Sequence, residues 1–227
     1  MPDTNYYHTA IQMGATFLCP SDVFLARLSG IKVFVFDWDG VFNQGIKGEG
    51  IESNFSEVDS MGLNLLRFGY WLKNNRQIPI TGIITGMNNA SAHLFAQREN
   101  FNFIFSGFKH KSEAIEQICN KYSITSDQIA FTFDDVLDIS AASICKLRFL
   151  VQHKASVRFT NYMIKNNYAD YLTANDCNQF AIREICELIL DAWNIFSETL
   201  THRAAYSPDY IKFISTRNAI TPLVFKK

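Results

Sequence analysis

Short apolar runs alternate with amphipathic segments along most of the 227-residue chain. Five of these runs are rich in β-branched and aromatic residues, which is typical of buried strands. They lie at 31–36, 79–85, 103–106, 129–133 and 147–152. Segments with apolar residues at helical spacing separate them. This β-α-β-α order predicts an α/β fold, a Rossmann-like three-layer sandwich with a mainly parallel sheet and helices on both faces.

Three further segments complete the predicted organisation. "SDVFLARL" predicts a short helix that ends at Gly30, a residue suited to the left-handed position after a helix. "VFNQGIKGEGIESNF" has two alternating stretches around Gly48 and Gly50, which indicates a projecting β-hairpin. "FAIREICELILDAWNIF" predicts a long amphipathic helix. We therefore divide the chain into an N-terminal extension with a short helix (1–30), a main domain (31–198) and a C-terminal tail (199–227) whose structure the pattern does not predict.

Composition narrows the class of protein. Hydrophobic residues make up 48% of the chain, enough for one sizeable core, so a disordered protein is excluded. The formal charge of -1 gives no basic field for nucleic acid or an anionic membrane surface, which favours a small solute or a protein as partner. The five cysteines are scattered and form no CxxC pair, which fits reduced thiols. With no long apolar run and no signal-like N-terminus, we expect a cytoplasmic protein without a membrane segment.

Polar residues follow four of the predicted strands. In an open parallel sheet, ligands bind beyond the carboxyl ends of the strands, so these positions are the candidates for a site. They are Asp37, Asp39, Thr85, Gly86, Lys111, Asp134, Asp135 and Asp138. Carboxylates, a hydroxyl and an ammonium group would converge at one edge of the sheet. This set is typical of phosphoryl transfer through an aspartyl intermediate.

Each residue type has a chemical reason to be present. Attack of Asp37 on a phosphate brings two anions together, which costs about 1 kcal/mol at 4 Å in water and about 4 at the effective dielectric near a protein surface. Mg²⁺ would remove this repulsion, held by Asp37, the backbone carbonyl of Asp39 and Asp134. Asp39 could protonate the leaving alkoxide and then deprotonate water. Thr85, Gly86 and Lys111 would hold the phosphoryl oxygens.

Every one of these features also has a purely structural interpretation. "DWDG" alone fits a strand followed by an Asp-Gly turn, and "DDVLD" fits a solvated helix start. Lys111 alone would be a surface lysine, and Thr85-Gly86 an ordinary turn. Their occurrence in order, at successive strand ends, favours a functional site.

Four motifs in this sequence resemble those of the haloacid dehalogenase superfamily of phosphatases: "FDWDGVFNQG", "IITG", "SGFKHK" and "FDDVLD". More narrowly, the stretch 31–195 resembles the 3-deoxy-D-manno-octulosonate 8-phosphate phosphatases and their acylneuraminate 9-phosphate relatives. The resemblance implies a compact fold without a large cap domain, Mg²⁺ dependence and a homotetramer whose neighbouring subunits complete the active sites. It also implies Asp37 as nucleophile, Asp39 as acid/base, Thr85 and Lys111 as phosphate ligands and Asp134 as metal ligand, with Asp135 or Asp138 supporting.

The chain departs from this family at four places. Met87 stands where the family has Arg, Phe133 where it has Gly, Asn43 where Thr or Ser is common, and "CNQF" (177–180) where it has a glycine-rich loop. Met87 cannot donate the forked hydrogen bonds of a guanidinium, so recognition of a carboxylated sugar is in doubt. Two hypotheses remain open. The chain is a Mg²⁺-dependent phosphomonoesterase for a small sugar phosphate or related metabolite, or it is a catalytically weak or inactive binding or assembly protein on the same scaffold.

Overall fold

An eight-stranded sheet forms the centre of the molecule. The computed structural model describes residues 5–51 and 53–227. Within them the strands are β1 Thr16–Phe17, β2 Val33–Phe36, β3 Ile80–Thr85, β4 Phe103–Ser106, β5 Ile129–Phe133, β6 Leu147–Leu150, β7 Tyr171–Leu172 and β8 Leu223–Lys226. Their order across the sheet is β1-β7-β6-β5-β2-β3-β4-β8. Every neighbouring pair is parallel except β1 with β7. The predicted mainly parallel sheet and all five predicted strands are therefore confirmed.

Ten α-helices of the described residues surround the sheet. They are α1 Asn5–Gln12, α2 Ser21–Ser29, α3 Glu57–Lys73, α4 Ala90–Arg98, α5 Ser112–Tyr122, α6 Ile139–Ala142, α7 Val157–Lys165, α8 Ala181–Ala192, α9 Phe196–Ala204 and α10 Pro208–Asn218. None of them is both long and apolar enough to cross a membrane. No large cap domain interrupts the described chain, as expected.

The core lies in two layers, one on each face of the sheet. Successive side chains of a strand point to opposite faces. Accordingly, Phe34 and Phe36 of β2 pack in one hydrophobic cluster with α3 and α8, while Val33 and Val35 pack in the other with α5. A central parallel strand is covered on both faces, which explains why β2 is a continuous apolar run rather than an alternating one. The predicted three-layer arrangement is confirmed.

The segment predicted as a β-hairpin forms no strands. Between β2 and α3, the described residues 41–51 and 53–56 make a loop with one isolated antiparallel bridge, Gly48 to Ile51. The loop turns on Gly45 and Gly50, which have φ of 65° and 71°. The alternating pattern is not used for strand pairing because the polar side chains of the loop instead bind the carboxyl end of β2. The prediction of paired strands is therefore wrong for the single chain.

Two boundaries also differ from expectation. Gly30 follows α2 as predicted, but its φ of -92° is right-handed. It therefore does not adopt the left-handed conformation that the sequence predicts for a glycine after a helix. The predicted long helix near the C-terminus is two helices, because the chain turns at Asn194, whose φ is 55°. Residues 199–227, for which the sequence predicts no structure, complete α9, form α10 and add β8 to the edge of the sheet beside β4.

Candidate active site

The carboxyl ends of β2, β3 and β5 open into a cavity of about 410 Å³. Strand register explains the convergence, since Phe36 at the end of β2 lies between Ile83 of β3 and Thr132 of β5. All of the residues predicted for the site line this cavity: Asp37, Asp39, Thr85, Gly86, Lys111, Asp134, Asp135 and Asp138. The cavity also contains Met87 and His153.

Lys111 lies at the bottom of the cavity between two carboxylates. Its Nζ is 2.5 Å from Asp37 Oδ1 and 2.5 Å from Asp138 Oδ1, and its side chain is only 2% exposed. Burial alone would lower the pKa of Lys111, but Asp37 and Asp138 raise it above its usual value. The site therefore has a fixed positive charge beside Asp37.

Three carboxylates form a cluster with the spacing of a metal site. One oxygen each of Asp37, Asp134 and Asp138 lie within 4.8 Å of one another. Asp134 Oδ1 is buried and has no hydrogen-bond partner among the described residues. A buried, unpaired carboxylate oxygen is costly unless it binds a cation. Hard oxygen donors of this kind are those that Mg²⁺ prefers, so the residues present fit the ion.

Gly40 makes room for this cluster. It has φ of 82°, and a Cβ placed on it would lie 1.9 Å from Asp134 Oδ2. A side chain at position 40 would therefore occupy the place of the Asp134 carboxylate. The "DG" in "DWDG" marks a close approach of backbone to the acidic cluster rather than only a turn.

The surroundings of Asp37 disfavour its charge in the absence of a cation. Burial raises its pKa well above the ordinary value, and the neighbouring Asp138 raises it further, while Lys111 acts in the opposite direction. Burial likewise raises the pKa of Asp134. A divalent cation beside these carboxylates would favour their ionised forms, which a nucleophile and a metal ligand both require.

His153 belongs to the site, although sequence reasoning missed it. Its Nε2 lies 3.1 Å from Asp134 Oδ2 and 3.1 Å from the carbonyl oxygen of Gly40. The hydrogen bond with Asp134 raises the pKa of His153. Because His153 faces Oδ2 of Asp134, Oδ1 remains available for a metal ion at the acidic cluster. The signal was available, since His153 follows the predicted strand at 147–152 just as the other site residues follow theirs.

Asp39 points away from the acidic cluster and into a network of donors. Lys47 Nζ lies 2.8 Å from its Oδ1, and Ser53 Oγ donates to the same oxygen at 2.8 Å. Asn89 Nδ2 donates to its Oδ2 at 2.9 Å. Lys47 Nζ also donates to Asn89 Oδ1 at 2.9 Å and to Ser53 Oγ at 2.7 Å. Sequence reasoning missed all three donors, which come from two loops with no distinguishing spacing.

The same network orients Thr85. Its Oγ1 accepts hydrogen bonds from Asn89 Nδ2 at 2.9 Å and from the backbone N–H of Met87 at 3.4 Å. A hydroxyl has two acceptor lone pairs and one donor, so the O–H of Thr85 is available for a third group. This arrangement suits donation to an oxyanion in the cavity.

The positions that depart from the family pattern have different surroundings. Phe133 is fully buried and stacks on Phe131, with 5.4 Å between ring centroids, so its ring lies in the core and does not narrow the cavity. Asn43 supports the turn after Asp39, where its Oδ1 accepts from Gly45 N at 2.9 Å. Met87 is 60% exposed at the cavity. Of these three, only Met87 changes what a ligand would meet.

The two remaining acidic residues differ in role. Asp138 Oδ2 accepts from the backbone N–H of Asp135 at 3.1 Å and from that of Asp134 at 3.4 Å, while its other oxygen faces Lys111. Asp135 caps the turn through Val136 N at 2.7 Å. Asp138 therefore lies in the cluster, whereas Asp135 stabilises the turn that presents it.

Known proteins share both the sequence pattern and the fold. No family model matches the chain. The 3-deoxy-D-manno-octulosonate 8-phosphate phosphatase of Haemophilus influenzae is 23% identical over 171 residues, which cover 73% of this chain and 86% of that protein. The corresponding Escherichia coli K12 phosphatase is 23% identical over 73% of this chain and 82% of its own length.

Solved structures extend the likeness to the fold. The 3-deoxy-D-manno-octulosonate 8-phosphate phosphatase of Moraxella catarrhalis, in complex with magnesium, phosphate and KDO, has a TM-score of 0.66 at 26% identity and covers 81% of this chain and 98% of its own. The chain is therefore similar in sequence and in fold to 3-deoxy-D-manno-octulosonate 8-phosphate phosphatases. A cobalt-bound Haemophilus influenzae phosphatase shares the fold, with a TM-score of 0.62 at 21% identity over 75% of this chain and 94% of its own. Mg²⁺ as the cofactor agrees with the acidic cluster.

Proposed function

We propose that this phosphatase hydrolyses a small sugar phosphate through an aspartyl-phosphate intermediate. The observation that carries the proposal is the cluster of Asp37, Asp134 and Asp138 around Lys111 at the end of β2. A structural salt bridge would need one carboxylate for one ammonium. A single lysine cannot balance the charge of three buried carboxylates, so a bound cation explains the cluster better than a structural salt bridge does.

The metal ligands would be Asp37, Asp134 and Asp138. When bound there, Mg²⁺ supplies positive charge that offsets the repulsion between the carboxylates and a phosphate. The sequence predicts the backbone carbonyl of Asp39 as a ligand and Asp138 as a supporting residue. Because an oxygen of Asp138 lies within 4.8 Å of an oxygen of Asp37 and of Asp134, we assign Asp138 as a ligand too.

In the first step, an oxygen of Asp37 attacks phosphorus and the bond from phosphorus to the leaving oxygen breaks. Asp39 gives its proton to the departing alkoxide. Lys111 and the Thr85 hydroxyl bind the phosphoryl oxygens while negative charge spreads over them. The product of this step is an acyl phosphate on Asp37 and a free alcohol.

In the second step, Asp39 takes a proton from a water molecule whose oxygen attacks the phosphorus of the acyl phosphate. The bond from phosphorus to Asp37 breaks, which releases inorganic phosphate and restores the carboxylate. Asp39 regains the proton it lost, so the cycle closes without any other reagent. The separate surroundings of Asp37 and Asp39 suit this division of roles.

The experiment that tests the proposal is a hydrolysis assay of phosphorylated metabolites with Mg²⁺. Wild type should release phosphate, and chelation of the metal should stop it. Asp37→Asn should abolish the activity because an amide is not a nucleophile here, while the far-ultraviolet circular dichroism is unchanged. Asp127→Asn is the matched control, since Asp127 is an exposed acid outside the site. Equal rates in wild type and Asp37→Asn would contradict the proposal.

Specificity is the second part of the proposal. Met87 lies at the cavity without a charged group to hold a carboxylate, and a hydrogen bond to a charged group is worth about 1.5 to 3 kcal/mol, or roughly ten- to a hundredfold in affinity. We expect 3-deoxy-D-manno-octulosonate 8-phosphate to be a poorer substrate than a neutral sugar phosphate. Met87→Arg should raise turnover of the keto acid relative to the neutral compound. A strong preference of wild type for the keto acid would contradict this assignment.

Only one of the two observations that favoured an inactive scaffold protein still does so. That alternative rested on Phe133 and Met87, but the Phe133 ring packs in the core and leaves the cavity open. Met87 bears on which substrate binds rather than on the chemistry. A cytoplasmic location and a homotetramer stay predictions.

A further inference from the structure

Lys47 is the one cation that contacts Asp39 among the described residues, and the mechanism above does not use it. It lies in the loop between β2 and α3, whose described residues form two isolated backbone bridges, Asp39 to Asn43 and Gly48 to Ile51. Its Nζ makes three contacts within 2.9 Å, to Asp39 Oδ1, Ser53 Oγ and Asn89 Oδ1. A long, flexible side chain that satisfies all three of its donors in one place is held there rather than merely solvated.

The partners of Lys47 fix the direction of every bond in the network. Lysine only donates, so the Asn89 amide must present its oxygen to Lys47, and its nitrogen then faces Asp39. The same nitrogen donates to Thr85 Oγ1. Lys47 therefore orients Asn89. Asn89 in turn connects the carboxylate of Asp39 to the hydroxyl of Thr85, the proposed phosphate ligand.

We propose that Lys47 is a positioning residue that holds the Asp39 carboxylate in its catalytic orientation. The proposal rests on the proposed function for the role of Asp39. Both oxygens of Asp39 are held, Oδ1 by Lys47 and Ser53 and Oδ2 by Asn89, so the carboxylate cannot rotate without breaking a charged contact. A fixed acid stays close to the leaving oxygen, where small displacements reduce the rate strongly.

The kinetic test compares Lys47→Met with Lys47→Arg. Lys146→Met is the matched control, because Lys146 is also a half-exposed lysine beside an aspartate but lies outside the site. On an alkyl phosphate, whose alkoxide needs a proton to leave, Lys47→Met should lower kcat about ten- to a hundredfold. On 4-nitrophenyl phosphate, whose leaving group needs no proton, release of the leaving group in the first turnover should slow clearly less, whereas the second step, which also uses Asp39, should slow equally on both substrates. KM should change little, Lys47→Arg should recover most of the rate, and Lys146→Met should match wild type.

A double variant separates positioning from a general loss of structure. In an Asp39→Asn background, Lys47→Met should cause no further loss on the alkyl phosphate, since its effect passes through Asp39. Full additivity of the two losses would overturn the proposal. So would an equal loss on both substrates in the first-turnover release of the leaving group, or wild-type rates in Lys47→Met.

A readout without turnover keeps the inference independent of the proposed function. Crystal structures of wild type and Lys47→Met, without substrate, should differ in the Asp39 side chain, which should leave Asn89 and take more than one orientation in the variant. An Asp39 carboxylate in the same single position in both would overturn the proposal. If wild type hydrolyses no phosphate with Mg²⁺, the proposed function fails, yet this comparison still decides whether Lys47 holds Asp39.

Discussion

Asp37 and Asp39 are two positions apart in sequence and have opposite surroundings. Asp37 is 8% exposed, beside Asp138 and Lys111. Asp39 is more accessible and accepts from neutral donors and Lys47. The sequence predicted both acids and Lys111 because each follows a strand, a position that the parallel sheet determines. It could not predict the donors to Asp39, because they lie in loops whose path depends on tertiary packing.

Substitution of Gly40 should disrupt the metal site selectively. In Gly40→Ala, the new Cβ would meet Asp134 Oδ2 and displace the carboxylate. We expect Mg²⁺ affinity, measured by titration calorimetry, to fall about ten- to a hundredfold, the usual effect of disturbing the groups around metal ligands. Gly50→Ala is the control, since Gly50 also has positive φ but has open space where its Cβ would be. Equal affinities in the two variants would contradict the assignment.

Asp59 should make stability depend on pH. This buried residue of α3 accepts from Arg183 N at 3.0 Å through Oδ1, and its Oδ2 has no hydrogen-bond partner in the described chain. Burial raises the pKa of Asp59 to about 7. The folded state then binds more protons than the unfolded state between about pH 4 and 7, so the free energy of unfolding falls as pH rises.

The measurement is urea unfolding of wild type and Asp59→Asn at pH 5 and pH 8. Relative to the variant, whose amide does not titrate, wild type should lose about 2 kcal/mol over this range. The difference between the two proteins isolates Asp59 from other titrating groups. A difference that stays constant with pH would show that Asp59 is ionised in both states.

At the scale of elements, helix packing explains why the predicted helix 180–196 ends early, at Ala192. Apolar residues continue at helical spacing through 193–196, so the pattern has no signal for a break. The chain nevertheless leaves the helix, where Asn194 N bonds to Asp191 O and Ile195 N to Leu190 O. The break lets α9 fold back onto α3, a long-range contact that local periodicity cannot encode.

Gly69 is the point of closest approach between α3 and its neighbours. A Cβ there would lie 2.2 Å from Leu190 Cδ2 and 3.0 Å from Thr199 Oγ1. Gly69→Ala should therefore destabilise the protein by about 1 to 3 kcal/mol through overpacking, although alanine is the better helix former. Gly30→Ala is the control, because its nearest neighbour is 4.0 Å away and its φ is right-handed. Chemical denaturation that ranks the two variants equally would contradict this account.

At the scale of the whole molecule, the C-terminal residues complete the sheet. The strand β8 pairs with β4, and Phe225 stacks on Phe105 with 4.3 Å between ring centroids. Local pattern could not place this strand, since "LVFK" is a short apolar run that is as compatible with a loop end as with an edge strand. The fold class was predictable because the order of the central elements alone limits it to few topologies.

Assembly remains a prediction at this scale. Of the apolar residues in the loop after β2, the chain itself buries Val41 and Phe42 and partly covers Phe55. Ile46 and Ile51 remain 55% and 54% exposed. We expect a homo-oligomer, a tetramer by the family resemblance, that covers them. Light scattering should give the mass of a multimer for wild type and a lower mass for the double variant Ile46→Ser/Ile51→Ser. A monomer at micromolar concentration would contradict this prediction.

Trp38 lies between the two aspartates in sequence and is fully buried. Its ring stacks on Phe42, and its Nε1 has no hydrogen-bond partner among the described residues. An indole in such dry surroundings emits at short wavelength. Trp71 packs in a separate cluster, and Trp193 is only partly buried at the edge of the cluster that contains Trp38. Any charge that enters beside Asp37 or any shift of Asp39 changes the electric field at this ring. The fluorescence of Trp38 is therefore a built-in optical reporter of metal and phosphate binding, which needs neither turnover nor a label.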